Sequence, residues 1–558
     1  MKNNKNIISA ILVFTLVATG IYSCSDEFLD ETQNYNIDSE TYFNSKDDYY
    51  MALIGVYDLL QASYVNVLLG EIASDNTLCG GDSATDVPGF QQIDDMSHTS
   101  VNSNLRDVWS WMFAGVNRAN YFLEFQDKTN FEGRNAMIAE VRFLRAYYHF
   151  ELVKWFGGIP IKNYDEALTG AGTRFVPGDE LSVSRSSVEQ VYALIESDLM
   201  FAVSNLEYSS LQVGRVTKGA AEALLGKAYL YQDKFSDAAT VFDNVINNGP
   251  YQLAISYASI FENQGENNVE SVFEVQYTDG EGAGFDCLQC SEGNVAVGFM
   301  GIRAPSYKPV DENGEPFTGA ISGSIVSQLE GILTSNGFLE GRLFDGGYSF
   351  NVPTQEVADV FEEGDSRKDI SILDIQALSN SIAPIQFQDD QYGTVTGIEN
   401  GAYFIDYSWV NGYEHTGYYN RKYLPRRGDL GEGDPNLTNP NNYRSIRFAD
   451  VLLMAAEANN RGGIDDSKAQ VYLNMVRTRA FGTNANNITA AGAELTDAIY
   501  HERRVELVGE GHRFFDLVRT GQASSEIEGF QAGKHELFPI PIQEIQFSNG
   551  NWSQNPNY

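Results

Sequence analysis

Apolar positions recur every three or four residues in two long parts of the chain, before about residue 275 and after about residue 446. In the segment 134–156, Met137, Ile138, Val141 and Leu144 fall on one stripe of a helix. The same periodicity predicts helices over 46–65, 104–128, 134–156, 186–206, 216–231, 235–247, 447–460, 466–480, 495–508 and 512–520.

One predicted helix pair has the spacing of small and bulky residues that is typical of a tetratricopeptide unit. Gly226 and Ala238 are small and let the two helices approach, while the rings of Tyr229 and Phe242 fill the groove between them. Pro250 stops the second helix. The full set at this spacing is Leu225, Gly226, Tyr229, Phe235, Ala238, Phe242 and Pro250. Less regular pairs are expected over 104–156 and 447–480.

The pattern changes between about residues 275 and 446. Gly, Asn, Asp and aromatic residues dominate there, as in "FIDYSWVNGYEHTGYYN". Turn-forming residues at this density predict loops with short strands. A segment of this length without helical period is either functional or disordered, and its many aromatic residues argue against disorder. We therefore expect a mostly α-helical fold with an irregular, loop-rich region between the helices, followed at 535–558 by an extended tail.

The N-terminus has the pattern of an export signal. Lys2 and Lys5 precede an apolar run, Ile7 to Gly20, that is shorter than the roughly 20 residues needed to span a bilayer. The sequence Ile21-Tyr22-Ser23-Cys24 then resembles a bacterial lipobox, in which the cysteine is acylated and becomes the mature N-terminus.

We therefore interpret residues 1–23 as a lipoprotein signal peptide and Cys24 as the site of lipid attachment. The alternative is a plain secreted protein in which Cys24 is incidental. The acidic residues that follow resemble the tag that sends lipoproteins of Bacteroidota to the outer face of the outer membrane. Two or more acyl chains hold a protein firmly at a membrane, whereas one chain binds marginally.

The composition excludes one class of partner and suggests another. With 37 basic and 76 acidic residues the formal charge is −39, so nucleic acid phosphates would repel the chain. A hydrophobic content of 43% indicates a folded globule rather than disorder. The 31 tyrosines and 33 phenylalanines suit a surface that stacks on flat apolar partners, sugar rings among them.

Short catalytic and metal-binding motifs are absent from the sequence. His501-Glu502-Arg503-Arg504-Val505 fails the zinc-protease pattern at its fifth residue, and the charged segment 501–521 is better explained by ion pairs between helices. Cys287 and Cys290 lack a second pair at zinc-ribbon spacing, which favours a local disulfide or plain thiols. A carboxylate pair for glycoside hydrolysis and a structural calcium ion in the acidic loops both stay open.

Six blocks of sequence resemble, in order, the SusD-like (RagB/SusD) family of outer-membrane nutrient-binding lipoproteins. They run along nearly the whole chain: "RFLRAYYHFELVKWFGGIPI" (142–161), "RVTKGAAEALLGKAYLYQ" (215–232), "VPTQEVADVFEEGDSRKD" (352–369), "RFADVLLMAAEA" (447–458), "ERRVELVGEGHRFFDLVR" (502–519) and "PIPIQEIQFSNGNWSQNPNY" (539–558).

The resemblance implies a mostly α-helical fold with four tetratricopeptide-like pairs and a more irregular binding part. It also implies a partner, a SusC-like TonB-dependent barrel transporter, on which the lipoprotein sits like a lid and to which it passes oligosaccharides. No catalysis is implied. Two alternatives remain: the same fold binding peptides, and a surface glycosidase.

The resemblance also suggests a domain organisation for the chain. After the signal peptide we expect an acidic tether, a helical region, the irregular ligand-binding region, and C-terminal helices with a tail that pack with the N-terminal helices as one domain. The corresponding boundaries are 1–23, 24–45, 46–274, 275–446 and 447–558.

Candidate ligand contacts follow from the chemistry of sugars. Aromatic rings stack on the C–H faces of a sugar, while Asp, Asn and Arg side chains pair with its hydroxyls. Exposed aromatic candidates are Trp409, Tyr413 and Tyr307, and Asp75 and Asn76 lie where the family has its N-terminal binding loop. Each also has a structural explanation, as a loop anchor for the aromatic residues and as a turn or helix-end residue for Asp75.

Overall fold

The computed structural model describes most of the chain, and the statements below concern only the residues it describes. These are 42–162, 174–210, 212–280, 284–303, 344, 346–375, 377, 386–389, 393–396, 413–426, 428–429 and 437–558. The predicted signal peptide, Cys24 and most of the predicted tether lie outside them.

Helices dominate the described residues. The α-helices are α1 Lys46–Tyr57, α2 Tyr64–Ile72, α3 Pro88–Asp94, α4 Ser103–Glu124, α5 Arg134–Phe156, α6 Val188–Asn205, α7 Lys218–Leu230, α8 Phe235–Asn248, α9 Val295–Met300, α10 Gln355–Asp359, α11 Lys368–Ser371, α12 Phe448–Arg461, α13 Asp466–Phe481, α14 Gly492–Leu507, α15 Arg513–Arg519, α16 Ala523–Glu526 and α17 Ile542–Phe547. Short 3₁₀ helices lie at Asp58–Ser63, Asp179–Leu181, Ala258–Phe261, Asn263–Gly265, Leu288–Cys290, Arg421–Tyr423 and Asn484–Asn486.

Several helices begin or end at residues whose side chain or conformation suits a helix terminus. Ser45 and Asp48 form a capping box at the start of α1, in which each side chain accepts a hydrogen bond from the other's backbone N–H. Thr217 caps α7 by accepting from the backbone N–H of Ala220. At the end of α5, Gly157 adopts φ +68°, a left-handed conformation that a side chain would disfavour.

The long helices form a row in which each packs on the next. Helix α4 packs on α5, α5 on α6, α6 on α7 and α7 on α8, and α8 then packs on α12 from the C-terminal part, which packs on α13 and α14. The tetratricopeptide spacing is confirmed at Gly226, where an added Cβ would lie 2.5 Å from a ring carbon of Phe242. The side chain of Phe242 is fully buried.

One hydrophobic core joins the N-terminal and C-terminal helices. Trp155 of α5 is fully buried and its ring stacks with that of Phe514 in α15, 5.7 Å between centroids. The stretch Lys46–Ile72 is long and apolar enough to cross a membrane by composition alone, but 67% of its most apolar window is buried inside the fold. It is therefore a core element here.

The described part of the irregular region contains short strands, as predicted, and also short helices, which were not predicted. Across all the described residues the strands are β1 Thr77–Leu78, β2 Ser271–Val275, β3 Ile302–Arg303, β4 Gly346–Gly347, β5 Val352–Pro353, β6 Ile372–Asp374, β7 Gln386–Asp389, β8 Gly393–Thr396, β9 Tyr418–Asn420 and β10 Tyr443–Arg447. They form two-stranded sheets, β1 with β5, β2 with β10, β6 with β9 and β7 with β8 antiparallel, and β3 with β4 parallel.

Two predicted elements differ from the structure. The single helix expected over 46–65 is instead α1, a 3₁₀ turn at Asp58–Ser63, and α2, which runs on to Ile72. The tail at 535–558 contains a short helix, α17, although the rest is irregular and packs on the frame. The side-chain amide of Asn555 fixes it by donating to the carbonyl oxygens of Phe156 and Phe538.

A cluster of buried ion pairs, which we call the ion cluster, joins the irregular region to the C-terminal helices. Arg447 contacts Glu270, Glu506 and Glu510 at 2.7–2.9 Å, and Arg367 contacts Glu506 and Glu502 at 2.9 and 2.6 Å. The cluster contains five cations and five carboxylates: Arg367, Lys422, Arg447, Arg477, Arg479, Glu270, Asp365, Glu502, Glu506 and Glu510.

The ion cluster confirms the interpretation of the charged segment 501–521 as structural. Burial alone would raise the pKa of Glu506, but Arg479, Arg447 and Arg367 together lower it, so its carboxylate stays ionised. The predicted ion pairing between helices is confirmed for Arg503 of α14 and Asp516 of α15, which lie 2.9 Å apart.

Candidate ligand-binding face

A loop that follows β1 forms the base of the candidate site. Strand β1 pairs with β5, so the loop starts beside the chain segment that precedes β5. A Cβ at Gly80 would lie 2.4 Å from the carbonyl oxygen of Ser349, and one at Gly81, with φ +95°, would lie 2.7 Å from the ring of Phe350. The two glycines therefore allow a close approach that larger residues would prevent.

Arg303, at the end of β3, holds this loop by two carboxylates. Its guanidinium lies 2.6 Å from Asp82 and 2.9 Å from Asp86, and the same group donates to the carbonyl oxygen of Tyr348 at 3.4 Å. The side chain of Asp82 is 63% exposed and that of Arg303 is 19% exposed. A carboxylate fixed in this way at the surface can still accept hydrogen bonds from a ligand's hydroxyls.

His415 holds the other side of the loop. Its Nε2 lies 3.1 Å from the carbonyl oxygen of Gly81, and its Nδ1 lies 3.5 Å from the hydroxyl of Tyr419. Burial lowers the pKa of His415, and nearby Arg303 lowers it further. Since a carbonyl oxygen only accepts, the neutral ring carries its proton on Nε2.

Acidic side chains surround Tyr413 beside this loop. Burial raises the pKa of Asp94 to about 7 although the backbone N–H of Cys79 donates to its carboxylate at 3.0 Å. Burial also raises the pKa of the Tyr413 hydroxyl, and the charges of Glu414, Asp95 and Asp94 raise it further. Tyr413 is half-buried, so part of its ring faces solvent.

A row of aromatic rings runs from the surface to the core beside the loop that follows β1. Phe285 is 62% exposed, and its ring meets that of Tyr348 edge-on with centroids 5.7 Å apart. Tyr348 in turn packs on Phe299, and Phe299 packs on Phe90 and Phe350. We call this combined surface the loop face; it consists of Gly80–Asp86, Phe285, Arg303, Tyr348, Tyr413 and His415.

Of the aromatic residues proposed from sequence, Tyr413 lies on the loop face. Tyr307 and Trp409 lie outside the described residues. The ligand contacts of all three residues stay predictions.

Asp75 and Asn76 lie inside the frame rather than on the surface, which corrects their expected position. The carboxylate of Asp75, 4% exposed, lies 2.8 Å from Arg513 and 2.9 Å from Arg504. Asn76 is fully buried and accepts from Nε of Arg504 at 2.9 Å. The cavity beside Asn76 holds about 10 Å³, room for one water molecule but not for a sugar ring. Their contact with a ligand stays a prediction.

The loop face combines aromatic rings with carboxylates that Arg303 holds in ion pairs. Among the described residues, no group of three or more His, Cys, Asp or Glu side chains is placed to hold a metal ion. Cys287 and Cys290 form a disulfide, one of the two alternatives that the sequence left open, and Cys79 is a free, buried thiol. Rings that are partly exposed beside a fixed carboxylate suit a ligand with both apolar faces and hydroxyls.

Sequence reasoning missed Phe285, Arg303 and the loop at 80–86. The signal for the loop was the pair Gly80-Gly81, which marks a turn or a close approach of backbones. For Arg303 there was no signal, because its partners Asp82 and Asp86 are more than 200 residues away in the chain.

Comparison with known proteins covers both halves of the chain. The profile of the SusD family matches residues 344–536, and a second profile, described as starch-binding associating with outer membrane, matches residues 27–230. The chain is 24% identical to SusD-like protein P25 of Formosa agariphila, over 97% of each chain. It is 23% identical to the starch-binding protein SusD of Bacteroides thetaiotaomicron, over 88% of this chain and 84% of that protein.

Solved structures with the same fold include proteins described as glycan binders. A laminarin-binding SusD-like protein is 30% identical with a TM-score of 0.72, covering 92% of this chain and 100% of that one. Surface glycan-binding protein A of Bacteroides fluxus is 26% identical with a TM-score of 0.69, covering 92% of this chain and 100% of that one. The likeness in sequence and fold extends over nearly the whole chain, and the chain therefore belongs to the SusD/RagB family.

Proposed function

We propose that this protein is a cell-surface lipoprotein that binds oligosaccharide nutrients and delivers them to a SusC-like TonB-dependent transporter in the outer membrane. The observation that carries the proposal is the 30% identity, over 92% of the chain, to a protein described as laminarin-binding. The loop face supports it, because exposed rings beside the fixed carboxylates of Asp82 and Asp86 are the groups that sugars need.

The cargo class follows from the same relative. Laminarin is a glucan, so we propose a glucan rather than a peptide as the ligand. The relatives are described as binding proteins, and we propose that this chain likewise only binds. In the part of the chain that the structure describes, the charged residues of 501–521 are held in buried ion pairs, which is a structural role.

A glycan panel tests this proposal. Electrophoresis of the full chain through native gels that contain laminarin should retard its migration relative to gels without glycan, and peptide-containing gels should not. Retardation by peptides alone would contradict the cargo. Release of sugar products from laminarin by the purified chain would contradict the non-catalytic role.

The membrane attachment and the partner belong to the same proposal. A diacylated or triacylated Cys24 would hold the protein at the outer face of the outer membrane, next to the transporter. Labelled palmitate should therefore appear on the wild-type chain and not on Cys24→Ser, and a barrel transporter should copurify with the wild type from membranes. Labelling of both chains would refute the assignment of Cys24, and purification without any barrel protein would refute the partner.

A further inference from the structure

Phe285 is a large aromatic side chain that is mostly exposed. Its ring is 62% exposed, yet the inner edge rests on Tyr348 and through it on the buried ring of Phe299. Covering a large exposed ring with an apolar partner is favourable, and a ring at a fixed position has little entropy to lose on binding. Phe285 therefore has the properties of a stacking platform.

A disulfide closes the chain beside this ring. Cys287 and Cys290 are joined, and the backbone N–H of Cys290 also donates to the carbonyl oxygen of Cys287 at 3.0 Å. Such a bridge removes conformations from the loop that carries Phe285. It therefore limits where the ring can go.

The far side of the disulfide is attached to the frame by hydrogen bonds. The side-chain amide of Gln61 donates to the carbonyl oxygen of Gln289 at 2.6 Å. The hydroxyl of Ser291 donates to the carbonyl oxygen of Leu437 at 2.6 Å. Cys290 is thus held between two fixed residues. Through the bridge this support extends to Cys287, two residues from Phe285.

We propose that Phe285 stacks on a sugar ring of the bound glycan and that the Cys287–Cys290 bridge is a positioning device for it. This inference rests on the proposed function. Tyr348 links Phe285 to Arg303 and Asp82. The ring of Phe285 packs against the ring of Tyr348, and Arg303, which pairs with Asp82, donates to the carbonyl oxygen of Tyr348. Hydroxyls of the bound glycan can then pair with Asp82 while a C–H face of one of its sugars covers the ring.

The bridge acts on the ligand site rather than on overall stability. A disulfide between residues three positions apart closes a very short loop, and short loops give the smallest gain in stability. Removing the bridge should therefore change affinity while the melting temperature stays within a few degrees of wild type.

Calorimetric titration of the full chain in detergent with laminarihexaose tests the inference. We expect Phe285→Ala to weaken binding roughly two- to tenfold, the range for one aromatic contact, and Phe285→Tyr to bind like wild type. The double variant Cys287→Ser/Cys290→Ser should weaken binding to a similar extent. In that background, Phe285→Ala should have a clearly smaller effect than in the wild type, because the two changes remove the same contact.

Four results would overturn the inference. Unchanged binding by Phe285→Ala would refute the platform, and unchanged binding by the bridge variant, or fully additive effects, would refute the positioning role. If the wild type binds neither laminarihexaose nor laminarin, the proposed function fails and this inference fails with it. Because the wild type is titrated first, the two failures are distinguished. Melting curves of each variant show whether a loss reflects unfolding, and Phe285→Ala tests the platform even if the bridge variant does not fold.

Discussion

Replacing Arg447 with alanine is expected to lower the free energy of unfolding by about 3–5 kcal/mol. Arg447 is 1% exposed and contacts three carboxylates of the ion cluster, Glu270, Glu506 and Glu510. Without its guanidinium these carboxylates would stay buried with fewer cations near them. Leaving such charges uncompensated in the interior costs far more than losing one surface ion pair.

The change can be compared with a matched ion pair at the surface. Arg118 pairs with Asp58, and both side chains are 46% exposed. Because solvent screens such a pair, Arg118→Ala should cost less than about 1 kcal/mol. Denaturant unfolding of both variants, followed by circular dichroism, provides the comparison. Equal shifts of the two unfolding midpoints would show that the ion cluster does not hold the irregular region to the C-terminal helices.

The second large effect is a dependence of stability on pH through Glu71. This residue of α2 is fully buried and accepts from the backbone N–H of Gly511 at 2.6 Å. Burial raises its pKa from 4.5 to about 7, and Glu510 raises it too, while the N–H of Gly511 and the charge of Lys422 act in the opposite direction. The folded protein therefore keeps a proton on Glu71 that the unfolded chain has lost.

The direction of the effect follows from proton linkage. Between pH 4.5 and about 7 the folded state binds one more proton at Glu71 than the unfolded state, so the free energy of unfolding falls as the pH rises. The contribution is fully present below pH 4.5 and is lost by about pH 7. A shift of this size corresponds to on the order of 3 kcal/mol.

Glu71→Gln should remove this slope, because an amide has a similar shape and does not ionise. We expect the free energy of unfolding of the variant to decline less than that of the wild type between pH 4.5 and 7, measured in urea at closely spaced pH values. Glu363→Gln, at an exposed site, is the control and should follow the wild-type profile. Parallel profiles for the wild type and Glu71→Gln would contradict the buried neutral carboxyl.

The helical frame could be predicted because its signal is local. The stripe in 134–156 and the Gly226–Phe242 contact depend on residues at short spacings, and the structure places both as expected. The break in the predicted helix at 46–65 was not visible, because the 3₁₀ turn Asp58–Ser63 continues the apolar pattern. The 3₁₀ turn packs against a distant turn, Leu288–Cys290, and a contact between segments so far apart in the chain leaves no pattern in the local sequence.

The candidate site was harder to predict because distant segments build it. Asp75 and Asn76 follow a helix at a position that resembles the family's N-terminal binding loop, which made them candidates for ligand contact. Their partners Arg513 and Arg504 are more than 400 residues away in the chain, and only the folded structure shows that they bury both side chains. The loop face likewise joins residues near 80, 285, 303, 348 and 413. Composition identified the aromatic character of this region but not the residues that meet.

The loop face is the surface at which we propose that a glycan is held. The most direct measurement is a crystal structure of the full chain with laminarihexaose. We predict that a sugar ring lies against Phe285 and that its hydroxyls are within hydrogen-bond distance of Asp82 or Arg303. A ligand bound at another surface, with the loop face in contact only with solvent, would contradict the claim.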